Sequence, residues 1–186
     1  MYRNKALKKY LDDLAAKLPA PGGGSGAALA AGLGAALIGM VINYTLGKPK
    51  YARYHRQLSS MLSQSEKARA RFLELVDLDV AAFRSKDINR ALGVPLEISR
   101  LCFQAIRLCP VLVKKGNLNL ISDVAVAAIF LEAGFSSALF NVRINLKYLK
   151  NKARVGRINK ELNKKYRLMR KIRQDLEARI YEIIRG

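Results

Sequence analysis

The 186-residue chain has no tryptophan, one histidine and two cysteines, and its 14 Asp and Glu are far outnumbered by 34 Lys and Arg. Each scarcity excludes a class of chemistry. With His55 the only imidazole, set among Tyr51, Arg53, Tyr54 and Arg56, no Ser-His-Asp or Cys-His arrangement can be assembled, and His55 reads as a surface residue. Cys102 and Cys109 lack the clustered Cys and His partners of a metal site, so no metal is expected. Seven residues apart in a helical run, they stand about 10 Å apart along the axis, too far for a disulfide. They read as core thiols suited to a reducing cytoplasm. The start MYRNKALKKY runs into Asp12 and Asp13 rather than a hydrophobic stretch, which does not read as a signal peptide.

Charge is absent altogether from Leu18 to Gly47. A membrane span is the first thought, but the run is rich in Ala and Gly, and a Pro/Gly loop is expected to take its first third. That leaves a helix short of the roughly 20 apolar residues a span needs. Ala28, Gly32, Ala35 and Gly39 place a small-residue face on this segment, which reads as a closely packed central helix rather than a membrane element.

No segment alternates with period two, while most repeat near 3.6, so the chain reads as all-α: one domain, 1–186, folded as an antiparallel up-and-down helical bundle. The pattern predicts helices at about 4–18, 25–46, 53–88, 95–114, 122–150 and 155–185. Gly47 with Pro49, Gly93 with Pro95, and Lys115-Gly116-Asn117 supply the expected breaks. The last forty residues carry 14 Lys/Arg against 4 Asp/Glu, half of the net charge of +20. There Val155, Ile158, Leu162, Tyr166, Met169, Ile172, Leu176, Ile180 and Ile183 form an apolar stripe. Opposite it lie Arg157, Lys160, Lys164, Arg167 and Lys171, a solvated face able to attract a polyanion such as nucleic acid or a polyglutamate tail.

The candidate chemistry begins at PAPGGGSGAA. Gly22, Gly23 and Gly24 let a ligand approach the main chain, and Ser25 is expected to cap the helix that follows. A P-loop would need Lys and Ser/Thr after the last glycine, where Ala27 and Ala28 stand. A dinucleotide loop would need a preceding strand, where Leu7, Leu11, Leu14 and Leu18 repeat at helical spacing. In the third helix Arg69, Phe72, Val76, Val80 and Phe83 are expected to be buried along one side. Asp79 projects into that stripe, where lost hydration should raise its pKa toward that of a general acid or base, and Asp77 points away. Pairing of Asp79 with a buried arginine such as Arg69 is the structural alternative.

Further on, Ser122 is expected as an N-cap with Asp123 in the first helical turn. Asn117 and Asn119 can each donate and accept, as a heterocycle with mixed edges requires, and Asn141 and Asn145 lie one turn apart within an apolar run. Asp123 and Asn141 are separated by about 27 Å along one helix. A single monomer cannot gather both into one small site, so a shared ligand would need a second subunit arranged head to tail.

Six stretches, PAPGGGSGAA, TLGKPKY (Thr45 to Tyr51), VDLDVAAF (Val76 to Phe83), VPLEI (Val94 to Ile98), GNLNLISDVAVAA (Gly116 to Ala128) and NVRINL (Asn141 to Leu146), occur in an order that resembles the cyclodeaminase domain of formiminotransferase-cyclodeaminase and the related methenyltetrahydrofolate cyclohydrolases. The resemblance implies a dimeric helical bundle acting at the one-carbon bridge between N5 and N10 of tetrahydrofolate, with no tightly bound cofactor. It gives Asp79, with Asp77 as neighbouring candidate, the proton-transfer role. Asp123 and the asparagines would orient the pterin, Ser25 and the glycine amides would contact it, and Lys48 and Lys50 would hold a polyglutamate tail. The chain departs from that pattern in three places. The connector from Phe83 to Pro95 is short, which predicts a missing pocket wall; Gly26 replaces the usual valine; and the last helix is basic, which suits the alternative of a non-catalytic relative that binds nucleic acid or another polyanion.

Overall fold

In the computed structural model, which describes residues 1–186, the chain is helical throughout and has no strand. The helices are α1 (Leu7–Ala15), α2 (Gly23–Asn43), α3 (His55–Ser85), α4 (Ile88–Ile106), α5 (Cys109–Lys115), α6 (Ile121–Leu146) and α7 (Lys152–Arg185), with short 3-10 turns at Tyr2–Asn4, Pro49–Tyr54 and Leu118–Leu120.

Central α2 packs chiefly on α6 and α3. Small residues make this possible: a Cβ added at Gly34 would come within 2.8 Å of the Leu131 side chain and 2.9 Å of the Ala127 carbonyl, and one added at Gly134 within 3.0 Å of the Ala27 carbonyl. The backbones of α2 and α6 therefore nearly touch at mid-length. Gly23, at the start of α2, faces Asn141 near the end of α6, whereas Tyr44 and Thr45 bond Asn117 just ahead of α6. On the other flank, the Ser65 hydroxyl donates to the Ala35 carbonyl at 2.6 Å and ties α3 to α2.

Several sequence expectations change. Helix α2 starts at Gly23, not Ser25, and is 21 residues long, so it is not short of a span; α2 and the 29-residue stretch Leu118–Leu146 are both long and apolar enough to cross a membrane by length and composition. Most of α2 is covered by its neighbours, with Ala28, Ala31, Ala35 and Ile38 wholly buried. Gly93 and Pro95 do not break the chain. They lie inside α4, which starts seven residues before Pro95 because Lys86 turns the chain in the left-handed region (φ 54°) and the Asp87 carboxylate caps the Asn89 amide at 2.8 Å. The break falls instead at Arg107 and Leu108, ahead of Pro110. Neither Ser25 nor Ser122 is an N-cap: α2 is capped at Gly22 and α6 at Leu120, both without a side-chain bond. Arg69 is not buried but pairs with Glu66 on its own helix, Phe83 is largely exposed, and the leucines of α1 face outward while Tyr10 is its buried residue.

Apolar residues of α7 follow the expected stripe, with Ile158, Leu162, Met169, Leu176 and Ile180 buried and Tyr166 stacked on Phe135. Glu161 joins α7 to α4 by accepting from Arg100 at 2.7 and 2.9 Å and from Lys165 at 2.6 Å; these cations hold its carboxyl down at about 2. Both cysteines are buried and unpaired, and loss of hydration pushes the Cys109 thiol up to about 12.

Close approach at the α2–α6 crossing gives a direct test. Gly134→Val should lower stability by about 1–3 kcal/mol, because the new side chain must push two backbones apart. Gly156→Ala, which meets open space on α7, should instead raise stability by roughly 0.5–1 kcal/mol through helix propensity. Thermal melts of the two variants beside the wild type measure both effects.

Candidate active site

Asp79 stands on the buried face of α3, which runs Leu58, Met61, Ser65, Ala68, Phe72, Leu75 and, one turn on, Asp79. Its carboxylate is aimed at the amino end of α2. The fit is so close that a Cβ on Gly24 would lie 2.7 Å from the carboxylate carbon, so any side chain there would push the carboxylate aside. The first amides of α2 have no partner within the helix and present partial positive charge there. The Ser25 backbone N–H favours the ionised carboxylate, but burial outweighs it and the Asp79 carboxyl is held above the ordinary range. No cation pairs with this group; Arg69, the structural alternative, is occupied by Glu66.

Around Asp79 opens a cleft of about 340 Å³ lined by Pro19, Gly22, Gly23, Gly24, Phe83, Ala91, Pro95, Asn141, Ile144 and Asn145 among others. The pocket wall expected to be missing is present: the first turns of α4, which follow α3 with almost no connector, supply Ala91 and Pro95. Asn141 donates back to the Ser137 carbonyl at 3.0 Å with its amide close to Gly23. The Asn145 side chain donates across the cleft to the Ala91 carbonyl at 2.6 Å.

Beneath the cleft floor the Tyr10 hydroxyl and the Ser25 hydroxyl share a hydrogen bond of 3.1 Å, both side chains buried. Burial raises the Tyr10 phenol, and the nearby charge of Asp79 raises it further. Sequence reasoning missed Tyr10 as well as Ala91, Pro95 and Ile144. Tyr10 is the one aromatic of α1, but nothing local to α1 reveals a hydroxyl partner fifteen residues away.

The remaining candidates lie elsewhere. Asp77 faces away from the glycine turn: it accepts from the Tyr2 backbone N–H and lies 3.8 Å from the Arg3 guanidinium, anchoring the start of the chain. Asn117 is buried and spoken for. Its backbone N–H donates to Thr45 Oγ1 at 3.0 Å, its amide to the Tyr44 carbonyl at 3.3 Å, and its Oδ1 accepts from the Asn119 backbone N–H at 3.2 Å. Mixed-edge recognition by Asn117 gives way to a tie between α2 and the turn before α6. Asn119 is exposed, as are Lys48 and Ser122; Asp123 is half-buried in the first turn of α6. Lys48 lines a separate hollow of about 280 Å³ with Thr45, Gly47, Tyr51 and His55, and Lys50 lies over the Tyr51 ring. The candidates thus form two groups, one at each end of α2, about 30 Å apart.

A family model described as formiminotransferase-cyclodeaminase matches residues 6–86 and 84–164. Methenyltetrahydrofolate cyclohydrolase of Methylorubrum extorquens is 37% identical over 185 residues, covering 87% of this chain and 89% of that protein. Rat formimidoyltransferase-cyclodeaminase is 32% identical over 165 residues, 76% of this chain but only 30% of the longer rat protein. The crystal structure of formiminotetrahydrofolate cyclodeaminase from Thermotoga maritima superposes with a TM-score of 0.84 over 100% of this chain and 98% of that one, at 25% identity. Matched over most of its length by the family model and by these relatives, the chain belongs to the formiminotransferase-cyclodeaminase family.

Proposed function

We propose that this chain is a folate one-carbon enzyme working at the N5/N10 bridge, opening methenyltetrahydrofolate with water to 10-formyltetrahydrofolate or closing 5-formiminotetrahydrofolate with loss of ammonia. The observation that carries the reading is the Asp79 carboxylate, unpaired by any cation and set in a cleft against glycine amides. In the hydrolytic direction Asp79 takes one proton of the water as it adds to the bridging carbon and gives it to N5 as the carbon–N5 bond breaks, while the second proton of that water leaves to solvent as the formyl C=O forms. In the deaminating direction it takes the N10 proton as N10 attacks the carbon of the protonated formimino group and delivers it to the resulting amino nitrogen, which leaves as ammonia. A carboxyl raised above its ordinary range suits both steps. The cyclohydrolase similarity over nearly the whole length favours the hydrolytic direction. No tightly bound cofactor has a part in either step.

The antiparallel up-and-down bundle works, in this reading, as a head-to-tail homodimer. Leu33 of α2 and Val126, Ile129, Phe140 and Ile144 of α6 are exposed, large and apolar, on a surface where α2 carries no charge at all. Pairing these faces about a two-fold axis with helices reversed sets the Gly22–Asp79 end of one protomer beside the Lys48–Asp123 end of its partner. Asp123 then orients the pterin held over Asp79, and Lys48 and Lys50 meet a polyglutamate tail. A cytoplasmic setting suits the two reduced, buried thiols. A second property rests on α7: Arg157, Lys160, Lys164, Arg167 and Lys171 form an exposed stripe free of ion pairs, fit for the phosphates of nucleic acid without base recognition.

Four measurements follow from this reading. Loss of the methenyl chromophore reports hydrolysis, and Asp79→Asn should slow it by about 100-fold or more; a fully active variant refutes the mechanism. Because burial raises the Asp79 carboxyl, the native state binds more protons than the unfolded state between the ordinary and raised values, so this group lowers stability as pH rises through that window. Asp79→Asn should therefore melt above the wild type near neutral pH, with the gain vanishing once the medium is more acidic than the ordinary aspartate range. Mixing Asp79→Asn and Asp123→Asn protomers should restore about one quarter of wild-type activity, since half of the dimers are mixed and each has one intact site. RNA or DNA retained by the wild type at low salt should be released steeply as salt rises, and reversal of the α7 stripe to glutamate should abolish retention.

A further inference from the structure

Pro95 occupies the eighth residue of α4, where a proline removes the N–H that would bond the carbonyl four residues earlier. That carbonyl belongs to Ala91. Left unpaired in a partly buried wall it would cost stability, and it would loosen the two turns that line the Asp79 cleft. The structure supplies one donor to it from another helix: Asn145 Nδ2, 54 residues away on α6, at 2.6 Å. Asn145 and Pro95 both border the cleft, as does Ala91 between them.

We infer that Asn145 is a positioning residue whose amide stands in for the N–H that Pro95 lacks, locking the start of α4 to the end of α6 and so fixing the cleft wall opposite Asp79. This goes beyond the reaction proposed above and revises the pterin-contacting role that the resemblance implies for Asn145. A proline here serves the site because the bond that would otherwise close within α4 is turned outward to α6, and two helices that approach the cleft from different parts of the chain become one wall. The same first turn of α4 has a separate tie to α7, since the Arg154 guanidinium donates to the Asn89 side chain at 3.2 Å.

Restoring the missing N–H provides the test. In the Pro95 background Asn145→Ala should lower the melting temperature by roughly 3–6 °C and reduce kcat about tenfold or more through a displaced wall. With Pro95→Ala, the residue-95 amide can bond Ala91 within the helix, and adding Asn145→Ala should then change both readouts by less than about a third of those amounts. Equal losses in the two backgrounds would overturn the inference, because a ligand-contacting asparagine is indifferent to residue 95. Asn145→Asp gives an independent arm should Pro95→Ala itself fold poorly. A carboxylate keeps the shape and the acceptor but cannot donate, so it should melt at or below the alanine variant, and a wild-type melting temperature would refute the role. The melts require no substrate, so failure of the folate reading would leave this result standing and the reverse also holds.

Discussion

The contact between the Asp79 carboxylate and the glycine start of α2 is the constraint on which the site depends. A carboxylate can sit this deep without a cation because the helix end offers unpaired amides and because Gly24 has no side chain to keep it away. Two opposing effects act on its proton affinity: the Ser25 amide favours ionisation, and burial opposes it and wins. The result is an acid whose proton is held more firmly than in water but which remains open to a cleft. Tyr10 supports this from below by fixing the Ser25 hydroxyl, so that α1, otherwise a lightly attached helix with outward leucines, is joined to the machinery through one hydrogen bond.

Small residues elsewhere in α2 do a different job. At the crossing with α6, Gly34 and Gly134 allow backbone to approach backbone, which holds the two helices in fixed register over their length. That register keeps the candidate groups apart, with Asn141 beside Gly23 and Asn117 beside Thr45. It also leaves the outer apolar surface of α6 uncovered, so the packing that separates the two ends presents the face proposed to reunite them across a dimer.

Much of this was legible in the sequence where the physics is local or periodic. Helical spacing placed Asp79 on the inner side of α3, and the apolar stripe of α7 from Ile158 to Ile180 follows the same rule. What escaped depends on partners distant in the chain. Pro95 has the composition of a break, and its place inside α4 makes sense only once Asn145 is seen to satisfy Ala91. Ser25 and Ser122 have the composition of caps, yet the helices begin earlier, at Gly23 and Ile121, and Ser25 turns inward to Tyr10. Asn117 has the mixed edges of a ligand contact, but the Tyr44 carbonyl and the Asn119 backbone N–H use them. The partners that settle these positions, Asn145 for the Ala91 carbonyl, Tyr10 for Ser25 and Tyr44 for Asn117, come from the fold and not from residue type.

The pinned Glu161 carboxyl carries a consequence for how the molecule meets acid. Its proton affinity is depressed, so the stabilisation it gives is complete above the ordinary glutamate range and is lost progressively as pH falls from there to about 2, while the native carboxyl itself stays ionised over that interval. Between those limits the other carboxylates gain protons and the excess of positive charge grows, yet the clasp of α4 on α7 remains closed. Mild acidification should therefore leave the longest helix seated while strain from like charges accumulates elsewhere on the surface, so that denaturation by acid begins away from the carboxy-terminal arm.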